Sequence, residues 1–382
     1  MSGICIMRKT FKRSLLAATF LAAFSLSAQA AVGSGDTKPS NKGAKTEASA
    51  ALSAGKSRFS ENYVGEMKSV TARYEDTLVH IGRDYDVGFV EMRAANPSLD
   101  PWIPGAGAHV VIPTMHLLPN AAHESVVINL AEMRMFIFTS PYKPPLTFPI
   151  GIGRDGLKTP VGVTQVMRKK EDPVWTPTDR MRREDPTLPP FVAPGPDNPM
   201  GTHALYLGFQ TIAIHGTNKP YGIGRRVSSG CIRMFPEDIT RVYGLVPVGA
   251  KVTVVDQPIK AGWIGDRLFL EVHPTQEQAA LMEREGAVPD YQMSEQDLSF
   301  IMKVAGPAVE KLDWAEIRKV VKERKGYPVP IANRAAARPA SETSGAALPA
   351  APAAASKPEP QQKVVLDVEK KSSFVDEQNY QD

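Results

Sequence analysis

The chain has 382 residues, with 45 Lys and Arg against 41 Asp and Glu for a formal charge of +4, and 42% of its residues are hydrophobic. The excess cations are Arg8, Lys9, Lys12 and Arg13, so the rest of the chain is balanced. That excludes a strongly electrostatic nucleic-acid binder, which needs a basic excess concentrated on one face, and the length allows two or three domains.

Those four cations precede an apolar run from Leu15 to Leu26 and a small-residue site, Ala28-Gln29-Ala30. The run is too short to span a bilayer comfortably, and the pattern is that of an export signal over 1–30. It predicts a mature chain from Ala31 in an oxidising compartment. Cys5 is lost with the signal, which leaves Cys231 as the one cysteine and without an internal disulfide partner. A leftover cysteine in such a compartment suggests an intermolecular bridge or a reactive thiol. No later segment approaches the ~18 apolar residues of a transmembrane helix.

Residues 31–60 hold almost no large apolar side chains and read as a flexible linker. Within 61–116 a compact unit opens at Tyr74-Glu75-Asp76-Thr77-Leu78. Apolar residues at helical spacing follow through Ile81, Tyr85, Phe89 and Met92, then Asn96-Pro97 and a closing Val110-Val111-Ile112-Pro113. This layout resembles a LysM module, a strand-helix-helix-strand domain, and the resemblance implies contact with glycan strands of peptidoglycan. Asp76 and Thr77 either cap the first helix or touch glycan.

From 123 to 256 the pattern is β-rich: Val126 to Leu130, Met133 to Phe138, Phe148 to Ile152, Val161 to Met167, Ala204 to Leu207, Thr211 to Ile214 and Lys251 to Val255. Frequent short strands punctuated by Gly and Pro predict a mainly β fold, a sandwich or barrel. The Pro-rich, charged stretch Arg168 to Pro199 is long for a plain connection and reads as a lid. Residues 257–328 hold a possible strand, Arg267 to Val272, and three helix starts at Thr275/Gln278, Ser294/Asp297 and Asp313/Glu316, which predict a small helical appendage. The segment 329–382 is dominated by Ala and Pro and reads as a disordered tail.

Cys231 lies in Ser228-Ser229-Gly230-Cys231-Ile232-Arg233, sixteen residues after His215. A thiol of ordinary pKa, about 8.5, is only slightly ionised at neutral pH, so a nucleophilic cysteine needs a base or a positive neighbour. His215 ends an apolar run that reads as a strand, and the Gly-rich connection from Gly216 to Gly230 can fold Cys231 back beside it. The same glycines allow backbone amides to approach a reacting carbonyl. The competing reading is a buried cysteine and a structural histidine that never meet. Seven histidines are present, at 80, 109, 116, 123, 203, 215 and 273, without a His-Glu-x-x-His or paired-Cys spacing, so neither metal nor cofactor is expected.

The blocks His215-Gly216-Thr217-Asn218, Gly222-Ile223-Gly224 and Ser228 to Met234 resemble the YkuD-type L,D-transpeptidase signature. Thr159-Pro160-Val161-Gly162 and Asn198-Pro199-Met200-Gly201 match two further family blocks in order, and the likeness is nearest the periplasmic ErfK/YbiS subgroup. The resemblance implies a β-sandwich catalytic domain, with Cys231 as nucleophile, His215 as base, the Gly216 carbonyl orienting His215, and Gly230 and Cys231 supplying oxyanion amides. Arg233 either anchors a substrate carboxylate or braces the loop by a salt bridge. Ser228 and Ser229 are expected at the substrate, Ser229 standing where many members have histidine. The implied reaction attacks the diaminopimelate L-centre carbonyl of a peptidoglycan tetrapeptide, releases D-alanine and passes the acyl group to an amine, that of an outer-membrane lipoprotein lysine or a second diaminopimelate. Water as acceptor, giving an L,D-carboxypeptidase, and a non-catalytic wall-binding scaffold are the alternatives.

Overall fold

The computed structural model describes residues 60–285, 291 and 293–334. The expected signal peptide, nearly all of the linker and the tail beyond 334 lie outside the described residues.

The first unit runs β1 (Tyr63–Val64), β2 (Lys68–Thr71), α1 (Leu78–Asp84), α2 (Phe89–Ala95), β3 (His109–Ile112) and β4 (His116–Leu117). Strands β2 and β3 pair antiparallel, as do β1 and β4. The helices begin where their caps dictate. The Thr77 hydroxyl accepts the His80 N–H at 3.0 Å, and Glu91 accepts the Gly88 N–H at 2.9 Å. Thr77 therefore performs the capping alternative. Asn96 holds the second helix to the closing strand: its amide donates to the Met92 and Val111 carbonyls, and its oxygen accepts the Val111 N–H. Leu78, Ile81, Val87, Met92, Val110 and Ile112 form the small core.

The central unit contains β5 (Val126–Asn129), β6 (Arg134–Ile137), β7 (Leu146–Pro149), β8 (Ile152–Gly153), β9 (Gly162–Glu171), α3 (Asp179–Glu184), β10 (His203–Leu207), β11 (Ala213–His215), β12 (Arg226–Ser228), β13 (Ile232–Arg233), α4 (Pro236–Leu245) and β14 (Lys251–Val255). Eight of its strands form one sheet in the order β13-β11-β10-β9-β14-β5-β6-β7, and β12 pairs separately with β8. Pairing within the large sheet is parallel at β11/β13 and β14/β5 and antiparallel elsewhere. The unit is mainly β, as expected.

Both faces of β5 and β6 are covered. Val126, Ile128, Met135 and Ile137 enter the main core, while Val127 and Phe136 enter a second cluster against Val64 and Leu118. Such two-sided burial explains why these strands read as continuous apolar runs rather than alternating ones. The run Phe148 to Ile152 is not one strand but the end of β7 and the start of β8. Between them Gly151 exchanges backbone hydrogen bonds with Arg233, at 2.9 and 2.8 Å, and a Cβ at Gly151 would lie 2.7 Å from the Gly222 carbonyl oxygen.

The third unit corrects two sequence readings. The appendage over 257–328 is not helical alone: β15 (Ile259–Ile264) and β16 (Arg267–Val272) form a hairpin, followed by α5 (Gln276–Glu285), α6 (Glu295–Ala305) and α7 (Trp314–Glu323). The stretch assigned to the tail begins with a strand, β17 (Val329–Asn333), which pairs antiparallel with β16. Pro330 concealed it. A proline is compatible with an edge strand, which β17 is, and the register shifts between Leu268 and Phe269, the residue opposite Pro330. The three helix starts are capped as their sequences require, by Thr275 with Gln278, Ser294 with Asp297, and Asp313 accepting the Ala315 and Glu316 amides.

Buried charge joins the units. Arg134 of β6 pairs with Glu91 of α2 at 2.8 Å, and Lys260 of β15 reaches Glu132 at 2.6 Å, Glu271 at 2.8 Å and the Leu117 carbonyl at 2.7 Å. Removing one partner of such a pair strands the other in a dry site at a cost of ~3–5 kcal/mol. Near the active centre, the first turn of α2 docks on the loop before β12. The Val90 amide donates to the Gly224 carbonyl at 3.1 Å, and Gly224, at φ 76°, approaches so closely that a Cβ would lie 2.1 Å from the Phe89 nitrogen.

Candidate active site

His215 ends β11, and Cys231 immediately precedes β13. The two strands run parallel, with Ile214 opposite Ile232 and His215 opposite Arg233. Side chains alternate along a strand, so Ile214 and Ile232 turn into the core, where both are buried, and His215, Cys231 and Arg233 share the other face. Cys231 and His215 thus meet over one cavity of about 770 Å³, which Trp175, Met181, Met200 and Ser229 also line.

His215 is buried, and its Nδ1 lies 2.6 Å from the Gly216 carbonyl oxygen. A carbonyl only accepts, so Nδ1 carries the proton and Nε2 keeps its lone pair. Burial lowers the imidazole pKa to about 4; Arg233 adds to the fall, while the Gly216 and Met200 carbonyls oppose it. Burial also pushes the Cys231 thiol up, against the pull of an Ala213 backbone hydrogen bond and the Arg233 charge. Both groups are consequently neutral at neutral pH: the thiol, which donates to the Thr211 carbonyl at 3.5 Å, and the imidazole line one cavity, which suits proton transfer during attack rather than a standing ion pair.

The remaining expected residues are placed unevenly. Gly216 is packed closely, with a Cβ there lying 3.1 Å from Ile239 Cγ2. Ser229 lines both the Cys231 cavity and an adjoining one of about 520 Å³. Arg233 lines that second cavity with Arg154 and Lys219 and forms no ion pair among the described residues; only its backbone braces the site, through Gly151. The salt-bridge alternative for Arg233 is therefore not what the structure contains.

One expectation needs correction. Ser228 is 1% exposed and does not face the cavities; its hydroxyl donates to the Cys231 carbonyl and accepts the Gly230 N–H at 3.2 Å, so it holds the loop together. Inward-facing on β12, it has no route to substrate. For the same reason the Gly230 amide is engaged in this structure, and that 3.2 Å bond must yield before the amide can serve an oxyanion. His203 packs against Tyr243 with ring centroids 4.6 Å apart.

The segment Arg168 to Pro199 lies over the site. Trp175 and Met181 line both cavities, and Asn198 anchors the segment's base. Asn198 is fully buried; its amide donates to the carbonyls of Pro173, Val192 and Ala193, at 2.8, 3.1 and 3.1 Å, and its oxygen accepts the Met200 N–H at 2.8 Å. Gly201 then passes so close to His215's neighbour that a Cβ would lie 3.0 Å from the Gly216 carbonyl carbon. The anchoring role of Asn198 escaped the sequence reading, although its block did not. Asn before Pro in a long polar loop was the available signal.

Among the described residues, the grouping with metal-ligand spacing is His116, Glu132 and Glu271, all buried. Lys260 already pairs with both of its carboxylates.

Residues 123–254 match the YkuD family, described as an L,D-transpeptidase catalytic domain. "Probable L,D-transpeptidase YbiS" of Escherichia coli K12 is 38% identical over 275 residues, covering 70% of this chain and 87% of the relative. The chain belongs to the L,D-transpeptidase family. "Probable L,D-transpeptidase ErfK/SrfK" of the same organism is 42% identical over 235 residues, 59% of this chain and 76% of the relative, and "Probable L,D-transpeptidase YcfS" is 42% identical over 221 residues, 55% and 69%. As an L,D-transpeptidase the chain is an enzyme of peptidoglycan, and the matched span contains both cavities and the β11/β13 pair. Among the described residues no helix is long and apolar enough to cross a membrane.

Proposed function

We propose that this L,D-transpeptidase works in the periplasm on peptidoglycan stem peptides, with Cys231 as nucleophile and His215 as its base. The observation that supports this reading is the shared cavity lined by His215, at the end of β11, and Cys231, just before its parallel neighbour β13, with Nδ1 of His215 tied to the Gly216 carbonyl.

Neutral His215 takes the Sγ proton on Nε2 as Sγ bonds to the carbonyl carbon on the L-centre of diaminopimelate in a tetrapeptide donor. The carbonyl oxygen becomes an oxyanion and accepts the Cys231 N–H, with the Gly230 N–H joining once it leaves Ser228. Collapse breaks the C–N bond to D-alanine, whose amine takes the proton from His215. A thioester remains. An amine then attacks it, gives its proton to His215, and the thiolate leaves and is reprotonated. The acceptor is the lysine of an outer-membrane lipoprotein or a second diaminopimelate. A thioester is reactive toward amines and persists where water is kept out, which fits a site covered by Trp175 and Met181.

Arg233, free of a carboxylate partner among the described residues, anchors a donor carboxylate, and Ser229 meets the donor where the two cavities join. Residues 61–116 act as a LysM-like module; holding a glycan strand raises the effective concentration of its stem peptides. The exposed Tyr74 and Trp102 suit that role.

Incubation of the mature chain with disaccharide-tetrapeptide and an amine acceptor tests the reading. Release of D-alanine matched by a joined product is expected, with none from Cys231→Ala and a loss of ~10²–10⁴-fold from His215→Ala. Release of D-alanine with no joined product at any amine concentration would instead identify an L,D-carboxypeptidase. Glycan binding without either reaction would leave a scaffold.

A further inference from the structure

The Thr159-Pro160-Val161-Gly162 block has no part in the reaction above, yet its first residue touches the nucleophile's loop. Thr159 is buried, and its hydroxyl makes two hydrogen bonds: it accepts the Gly153 N–H at 3.0 Å and donates to the Gly230 carbonyl at 2.9 Å. Gly153 belongs to β8, which pairs with β12 immediately before the loop, and the neighbouring Arg154 amide donates to the Ser228 carbonyl at 2.8 Å. Thr159 thus fastens the Gly230 carbonyl to a strand already locked against the loop's other end.

The peptide joining Gly230 to Cys231 is planar and trans, so its C=O and N–H point in opposite directions. Fixing the carbonyl oxygen fixes the direction of the Cys231 N–H. Without such a tether the unit could turn, because Gly230 sits at φ 105°, where glycine has wide freedom. Ser228 restrains the two flanking peptide units, through the Gly230 N–H and the Cys231 carbonyl, but makes no bond to this one.

We infer that Thr159 is a positioning residue that aims the Cys231 amide at the oxyanion formed during acylation. This rests on the proposed role of Cys231. The step concerned is the first one: the Sγ–C bond forms, the Sγ proton moves to His215, and the carbonyl oxygen takes the negative charge that the amide stabilises. A preorganised donor is effective because it is already aimed when charge develops. Thr159 touches neither substrate nor thiol, so its contribution is confined to steps that build an oxyanion.

Two reactions of the same thiol separate this role from a general structural one. Acylation by a carbapenem or a tetrapeptide passes through an oxyanion, whereas alkylation by iodoacetamide does not. Both rates are measured at one pH on the mature chain and on Thr159→Val, Thr159→Ser and Thr159→Ala. Thr159→Ala removes the hydroxyl without placing a methyl in its position and replaces Thr159→Val should that variant fail to fold.

Loss of the hydroxyl is expected to slow acylation by about ten- to a hundredfold, below the ~10²–10³ seen when an oxyanion donor is removed outright. Alkylation should stay within about twofold, and Thr159→Ser should recover most of the acylation. Unchanged acylation would overturn the inference, as would a parallel fall in both rates, which would mark a support for the thiol itself. A wild-type chain that is alkylated but never acylated would instead overturn the proposed function, and this role with it.

Discussion

At the scale of single residues, burial acts on His215 and Cys231 in the same sense, driving each toward its neutral form. The imidazole falls from 6.5 to about 4, and the thiol rises. The sign is clear for the reaction. Attack needs His215 unprotonated, and a folded-state value below the ordinary one keeps it unprotonated down to about pH 4. The acid limb of single-turnover acylation should therefore lie near pH 4 to 5, and alkylation by a small reagent should climb through the alkaline range without a plateau at neutral pH. An acid limb near 6.5, or a neutral plateau, would mean an imidazolium-thiolate pair. That His215 and Cys231 would approach one another was legible in the sequence, from a histidine ending an apolar run and a Gly-rich return to the cysteine, and the two line one cavity. Ser228 was misread because a serine's direction depends on which face of β12 it occupies, and Thr159 lies 71 positions from the glycine it holds.

At the scale of elements, the lid is gathered at its base by Asn198, whose side chain bonds Pro173, Val192 and Ala193 within the lid and Met200 beside it. Outside the lid, Asn218 donates to the Asp197 carbonyl at 3.0 Å, and Arg154 reaches Glu184 of α3 at 3.4 Å across the Arg233 cavity. The latter pair is half-exposed and contributes little. Asn198→Ala takes the donor from the buried Pro173 carbonyl, at ~1–3 kcal/mol, while the Val192 carbonyl keeps the Trp175 N–H. The substitution should loosen the lid more than the sheet. Limited trypsin digestion, read at Arg180, Arg182 and Arg183, should accelerate several-fold with little change in the global melting temperature, and acylation should slow. A digestion pattern like the wild type's would show that Asn198 does not hold the lid. Most strands of the central unit were legible from apolar runs bounded by Gly and Pro. The break at Gly151 was not, since it arises from pairing with Arg233 rather than from any local feature.

At the scale of the whole molecule, the described units share buried polar groups as well as apolar packing, with Phe89, Val90 and Ala94 of α2 and Ala279 and Met282 of α5 entering the central core. Burial alone would push the Glu271 carboxyl up, but Lys260, with the His273 hydrogen bond at 2.6 Å, outweighs it and holds it well below the ordinary range. Burial likewise works against the Lys260 charge, and Glu132 and Glu271 prevail, raising it. Arg225 stacks on Phe89 at 3.6 Å and also pairs with Glu283 of α5, so the loop leading to Cys231 touches both flanking units. None of this was visible in sequence, where Glu132, Lys260 and Glu271 are isolated charges far apart in the chain. The same holds for β17, whose Pro330 imitates the tail that follows.

The most direct measurement of whether Cys231 is the acyl carrier is intact-protein mass spectrometry after mixing the mature chain with disaccharide-tetrapeptide, beside Cys231→Ala. An adduct of the donor's mass less D-alanine, present only with Cys231 intact and discharged by an added amine, is the expected result. No adduct on the wild-type chain at any time, or the same adduct on Cys231→Ala, would contradict it.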